Sequence, residues 1–273
     1  RIISPLSGVL ILPPGERYGG TLSSARDRID TLLRRAEELI EESRRTDYVM
    51  PTVLPFLPAI LLSIGIVMIV VGGFTVAVSR GLRGGGLVFV GVVLLLVAIA
   101  LNFYVVYRWV KRRNEHFRRS LAFFEAITEV SELLNLGRAP LIRSRLNELR
   151  EVNSRMRDAV ANTILIIVPL YIYYVFHFLN KDFHKHSEKE RLLLAELLDE
   201  VRARVPTFIR RVDEFTEVPE RSTFLYLILT IITGLFLLYW VYTLTKDPNK
   251  HFESHAVLER DIVAALREVS LKA

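Results

Sequence analysis

Histidine is the residue type whose chemistry is most concentrated in this chain. His177, His184 and His186 fall within ten residues of one another. His177 and His184 are seven apart, so a continuous helix would set them on one face, an arrangement that would suit a soft metal ion or a proton relay. His116, His186 and His251 each follow an apolar stretch at a matching place. The usual remaining ligands are missing from the pattern. The chain has no cysteine, and no carboxylate is spaced to close a site around the histidines. The expectation is histidines that bond to lipid headgroups or backbone at hinges, with no catalytic residue, metal or cofactor. No phosphate-binding loop, zinc spacing or nucleophile elbow occurs. The stretch "GLRGGG" lacks the Lys-Ser/Thr of a phosphate cradle and reads as a turn. An enzyme is not expected.

The elements that would carry these residues are apolar and helical. Hydrophobic residues make up 51% of the 273, and they are clumped. Residues 51–79 and 85–107 hold no Asp, Glu or Lys, and each exceeds the roughly 20 residues that cross a bilayer. Residues 159–179 and 222–245 are nearly as apolar. The fold class expected is an all-α integral membrane protein with about four apolar membrane segments and amphipathic helices between them. The organisation reads as an N-terminal amphipathic helix in 1–50, a helical hairpin over 51–110 and a polar helical segment over 111–158. Two units of membrane segment plus amphipathic helix follow, over 159–214 and 215–273. Within 1–50, residues 1–20 read as a loop. Ala25, Ile29, Leu32, Ala36 and Leu39 then step by four and three, a coiled-coil-like seam open to subunit contacts. Gly72, Gly73 and Gly91 would let the hairpin helices approach closely. The net charge of +6 suits anionic headgroups better than nucleic acid, since no basic stripe with interleaved aromatics occurs.

Three stretches repeat. Shifting 166–193 by 65 residues produces eleven identities without a gap, among them Tyr174 with Tyr239, Lys181 with Lys246, Asp182 with Asp247 and His186 with His251. Shifting by 135 aligns Tyr104, Tyr107, Lys111, Asn114 and His116 with Tyr239, Tyr242, Lys246, Asn249 and His251. One unit used three times explains this: apolar segment, aromatic collar, basic hinge, amphipathic helix. Tyrosine and tryptophan favour the headgroup layer, and the lysines after them can snorkel to phosphates. Asp182 and Asp247 read as N-caps and Pro248 as a first-turn residue, so the last two units would turn at the interface, while the first, with Arg112, would run straight. Pro169 and Gly234 occupy matching positions and would break their segments at midpoint.

The stretch "IITGLFLLYWVYTLTKDPNKH", 231–251, resembles a family of small uncharacterised prokaryotic membrane domains with a TxGxYxxYW exit and a K-x-x-N-x-H tail. Phe236 stands where that family has tyrosine, and 166–186 and 104–117 resemble it more weakly. The resemblance implies a membrane domain and carries no activity or functional residue.

Two topologies stay open. Four full spans would put both ends in the cytoplasm of a multi-pass cell-membrane protein, yet would set the alike exits of units two and three on opposite faces. Segments three and four could instead re-enter, bent at Pro169 and Gly234, with every exit on one face. The function expected is that of a non-enzymatic, self-associating membrane protein, a homo-oligomer that scaffolds or shapes membrane. The alternatives are a channel or transport component with its pathway at an oligomer axis, and an accessory subunit of a larger membrane complex.

Overall fold

A computed structural model describes residues 16–79 and 84–272. Side chains are described from residue 24 onward. The loop expected over 1–20 lies outside the described residues except at 16–20, which are helical. Half of the turn expected at 79–86, residues 80–83, also lies outside.

Eight α-helices account for the described regular structure, apart from short 3₁₀ turns: α1 (Glu16–Thr46), α2 (Leu57–Ser79), α3 (Gly85–Leu133), α4 (Ala139–Asn153), α5 (Ala159–Leu165), α6 (Tyr171–Arg204), α7 (Thr223–Thr233) and α8 (Phe236–Lys272). No strand occurs among the described residues. The helix α3 runs unbroken across residue 110, so the apolar hairpin and the polar segment beyond it share one rod.

Among the described residues, only α2 and α3 are long and apolar enough to cross a membrane, and just 11% of each apolar window is buried within the chain. Two such helices are fewer than the four full spans expected. The third apolar stretch breaks after α5, where Leu170, next to Pro169, adopts a left-handed φ of 68°. The fourth breaks between α7 and α8 at Gly234, with φ 65°, a conformation glycine adopts without steric cost. Both stretches fold back as short helical hairpins at the predicted midpoints.

The α2–α3 hairpin closes through glycine contacts. A Cβ on Gly91 would lie 2.7 Å from the Gly65 carbonyl oxygen, and one on Gly72 would lie 2.8 Å from that of Gly84. Gly73 has nothing within 4 Å, so it faces outward and takes no part.

The expected turn at Asp182 and Asp247 does not occur. Helices α6 and α8 pass straight through, as α3 does, because both aspartates are held by side chains rather than by helix ends. Asp182 binds Arg113 at 2.9 Å and Arg157 at 3.1 Å, and Asp247 binds Arg221 at 2.5 Å. Pro248 sits inside α8. Its ring removes the N–H that would reach the Leu244 carbonyl. The buried Arg112 guanidinium donates to that oxygen at 2.9 Å instead.

Two apolar cores result. The first gathers Met50, Val106, Trp109, Phe117, Phe176, Phe183, Trp240 and Phe252. The second packs the far halves of α3, α6 and α8 with α1 and α4, through Leu33, Ala36, Ile127, Ile142, Leu146, Leu197, Ile262 and Leu266. The amphipathic stripes thus meet one another in a single bundle within the chain. Ile29, Leu32, Ala36 and Leu39 of the α1 seam are buried in it, so that heptad pattern is spent inside the protomer rather than on subunit contacts.

Candidate metal centre

Between the two cores lies a layer of buried polar side chains. It forms at the same level on three helices: His116 and Ser120 on α3, His186 and Glu190 on α6, His251 and His255 on α8. Each pair is spaced i, i+4, so both members face the same way. The positions correspond under the 65- and 135-residue shifts.

His116, Glu190, His251 and His255 bring one ligand atom each to within 4.8 Å of one another, all buried. Three edges of this group are short: His116 Nε2 to His251 Nε2 at 3.1 Å, His251 Nε2 to Glu190 Oε2 at 3.2 Å, and His255 Nε2 to Glu190 Oε2 at 3.1 Å. His186 meets the other oxygen, Oε1, at 3.1 Å, and the Ser120 hydroxyl donates to that same atom.

The outward nitrogens are held by a second layer. His251 Nδ1 lies 2.9 Å from the Thr216 carbonyl oxygen, and His255 Nδ1 lies 2.8 Å from Glu259 Oε1. His116 Nδ1 contacts Asp47 Oδ1 at 3.1 Å, at an angle poor for a hydrogen bond. Arg119 joins the two outer carboxylates, donating to both oxygens of Glu259 and to Asp47 Oδ2, each at 2.7 Å. Such partners fix ring orientation and tautomer at metal-binding histidines.

Proton positions follow from the acceptors. A carbonyl oxygen only accepts, so His251 carries its proton on Nδ1, and neutral His251 presents a lone pair at Nε2. The Asn153 amide nitrogen donates to the Phe117 carbonyl, which leaves Asn153 Oδ1 to accept from His186 Nδ1 at 2.8 Å. Burial, outweighing Glu190 beside it, holds His186 at about 4, hence neutral. Its Nε2 lone pair therefore faces a carboxylate, and that nitrogen has no hydrogen-bond partner. Burial likewise pushes His116 well below its ordinary range despite Asp47. Burial would raise Glu190, but the charged His255 beside it holds it well below the usual carboxylate range. Burial would lower His255, yet Glu190 and Glu259 bring it to about 10. Nitrogen lone pairs and a carboxylate converge here. The carboxylates Asp47, Glu190 and Glu259 face the single guanidinium of Arg119 and the charged His255, which leaves one negative charge, and two once a cation takes the place of the His255 proton. A divalent cation would balance them.

The segments leading into the three hairpins are also tied to this layer. Asn114 and Asn249, at matching positions, each clamp a peptide. Asn249 donates to the Met50 carbonyl at 2.7 Å and accepts from the Met50 N–H at 3.1 Å. Asn114 does the same for Arg157. At the third matching position His184 Nδ1 meets the Val218 carbonyl at 2.9 Å. These contacts run in a closed cycle: α3 holds the segment before α5, α6 the one before α7, and α8 the one before α2.

Of the residues singled out in the sequence, the structure thus joins His116, His186 and His251 at one centre. His177 and His184 do not belong to it, because His177 bonds Thr223 Oγ1 at 2.8 Å. Tyr104, Tyr174 and Tyr239 are 47%, 46% and 46% exposed, each twelve residues before its histidine on an unbroken helix. Lys111 and Lys246 lie over Tyr107 and Tyr242, while Lys181 is exposed. Sequence reasoning missed Glu190, His255, Asp47, Arg119 and Glu259. A signal for the first two existed, since the residues four beyond each repeated histidine are Ser120, Glu190 and His255. Asp47 carries no sequence signal. Comparison with protein families, with curated proteins and with solved structures finds no match to this chain.

Proposed function

We propose that this chain is a membrane-anchored metal-binding protein whose role is architectural: a buried zinc-class divalent ion locks three copies of one unit together beneath the bilayer. The observation that carries the reading is the convergence of His116, Glu190, His251 and His255. In a tetrahedral site with bonds of about 2.0 Å, neighbouring ligand atoms stand about 3.3 Å apart. The short edges of 3.1 and 3.2 Å match that scale. Three imidazoles suit zinc or a neighbouring transition metal, whereas calcium takes oxygen ligands at 2.3–2.6 Å. Four protein ligands leave no open position, as in structural rather than catalytic zinc sites. No described cleft is lined by the four.

The membrane reading rests on exposed apolar surface. Outward residues of α2 and α3 such as Val67, Phe74, Phe89 and Leu96 are 60–70% exposed, and such a surface is unfavourable in water. From Gly85 to Tyr104 the helix α3 rises about 28 Å, close to a hydrocarbon core of about 30 Å. From the break at Leu170 to Tyr174, α6 rises only about 6 Å. The first hairpin therefore crosses the bilayer, and the second and third dip into its near face. Every aromatic collar then lies on one face. The polar bundle sits below them, on the cytoplasmic side by its arginines and lysines. Trp109, Phe176 and Trp240 pack edge to face where the units meet, which favours a scaffold over a pore.

The test is elemental analysis of the purified full chain after dialysis against metal-free buffer. About one zinc-class ion per chain is expected, lost when His116 and His251 are both changed to alanine. A wild-type chain that neither retains nor takes up such an ion would refute the proposal.

A further inference from the structure

Below the second aromatic collar, between the end of α4 and α6, lies a cleft of about 450 Å³. Along one face of α6 its wall changes from Tyr174 and Phe178 to Lys181, Lys185 and Lys189, the order that a lipid meets from tail to headgroup. The opposite wall brings Arg155 and Arg157, and with them Glu148 and Glu151. Two of these cations are neutralised, Arg157 by Asp182 and Lys189 by Glu148. Arg155, Lys181 and Lys185 are exposed and enter no ion pair among the described residues. A second cleft on the other side of α6, with His184 and Arg221 in its wall, shares Lys181 and Lys185. The two lysines therefore stand as a ridge between two recesses below the collar, outnumbering with Arg155 the wall carboxylates Glu151 and Glu220 that no ion pair takes up among the described residues.

We infer that this ridge is a binding site for the phosphate of an acidic phospholipid, with Lys181 and Lys185 as the main contacts and Arg155 closing the cleft. The inference rests on the membrane reading above. A headgroup phosphate is the occupant that the depth favours. Tyr174 and Phe178 give the acyl end an apolar wall, and the cations follow within about 11–16 Å of helix. Surface lysines of this kind are also oriented by lipid phosphates through snorkelling.

The test uses the purified full chain in a neutral detergent, titrated with phosphatidylglycerol, phosphatidylcholine or inorganic phosphate, with lipid adducts counted by native mass spectrometry. Phosphatidylglycerol should bind more tightly than phosphatidylcholine. A basic residue at a charged membrane surface contributes about fivefold, so Lys181→Gln with Lys185→Gln should weaken it about thirtyfold. The control Arg26→Gln with Arg34→Gln removes two exposed charges on α1 and should change little. Equal binding of the two lipids, or equal loss in both double variants, overturns the inference and leaves the membrane reading intact. Competition by millimolar inorganic phosphate as effective as that by the lipid would also overturn it, since the site would then take free phosphate. A chain that stays monodisperse without detergent would instead remove the membrane reading itself.

Discussion

Replacing His251 by glutamine separates a metal centre from a merely well-packed histidine cluster. The change removes the Nε2 atom that stands 3.1 Å from His116 and 3.2 Å from Glu190, and it removes the donor to the Thr216 carbonyl. The second loss costs about 1 kcal/mol whether or not an ion is bound. The first matters only when the ion is present. Losing a direct ligand should weaken binding by at least the roughly 100-fold that outer-layer changes cost, which is about 2.7 kcal/mol. Unfolding entropy of about 2.1 cal/mol/K per residue gives about 0.6 kcal/mol/K for a chain of this length. The variant should therefore melt about 6 °C lower with metal and about 2 °C lower in excess chelator. Wild type, with free metal near a thousandfold above Kd, should itself lose about 4 kcal/mol on chelation, or about 7 °C. The assay is thermal unfolding in detergent, four conditions in parallel. If the variant is destabilised equally with and without chelator, the imidazole acts through packing alone and the metal argument fails.

Three further outcomes follow from the same structure. Gly91→Ala should destabilise the α2–α3 hairpin by about 1–3 kcal/mol, because the added methyl meets the Gly65 carbonyl and Ile69, both at 2.7 Å; Gly73→Ala, with open space around it, should be neutral or stabilising by up to about 1 kcal/mol. Unfolding in a denaturing detergent ranks the two, and equal effects would contradict the packing. In chelator the melting temperature should peak near pH 6.5. His116 and His186, held neutral by burial, lose their contribution as pH falls below 6.5, since the unfolded chain then binds their protons; His255, held near 10, keeps its contribution below 6.5 and loses it as pH rises toward 10, at up to about 1.4 kcal/mol per unit. A curve rising steadily from pH 6 to 9 would oppose this assignment. Cysteines introduced at exposed Leu141 and Ile209 should react with an impermeant label from the same side of oriented vesicles, and labelling from opposite sides would restore four full spans.

Much of the architecture was readable along the chain. Periodicity placed the amphipathic helices, and the aligned Pro169 and Gly234 marked where two apolar stretches are interrupted. The repeated histidines were visible as well, together with the Ser120, Glu190 and His255 positions one helical turn beyond them. Their convergence was not visible, because it is defined by distances between helices, and sequence spacing reports only distances along one. Glu190 was missed because two of its three histidine contacts, His251 and His255, come from α8, more than 60 positions away, and the third, His186, stands one turn back on α6.

The sequence by itself determined that α2 and the first half of α3 are apolar enough to cross a membrane, that Tyr104, Tyr174 and Tyr239 each stand twelve residues before a histidine, and that five amphipathic stripes must be buried. These are properties of local composition and helical period. Only the tertiary structure decided that the stripes bury one another within a single chain, that Asp182 and Asp247 hold arginines instead of starting helices, and that four buried side chains from three helices meet around one point. Those outcomes depend on which low-dielectric surroundings each charge shares, and that is fixed only once helices distant in sequence are packed side by side.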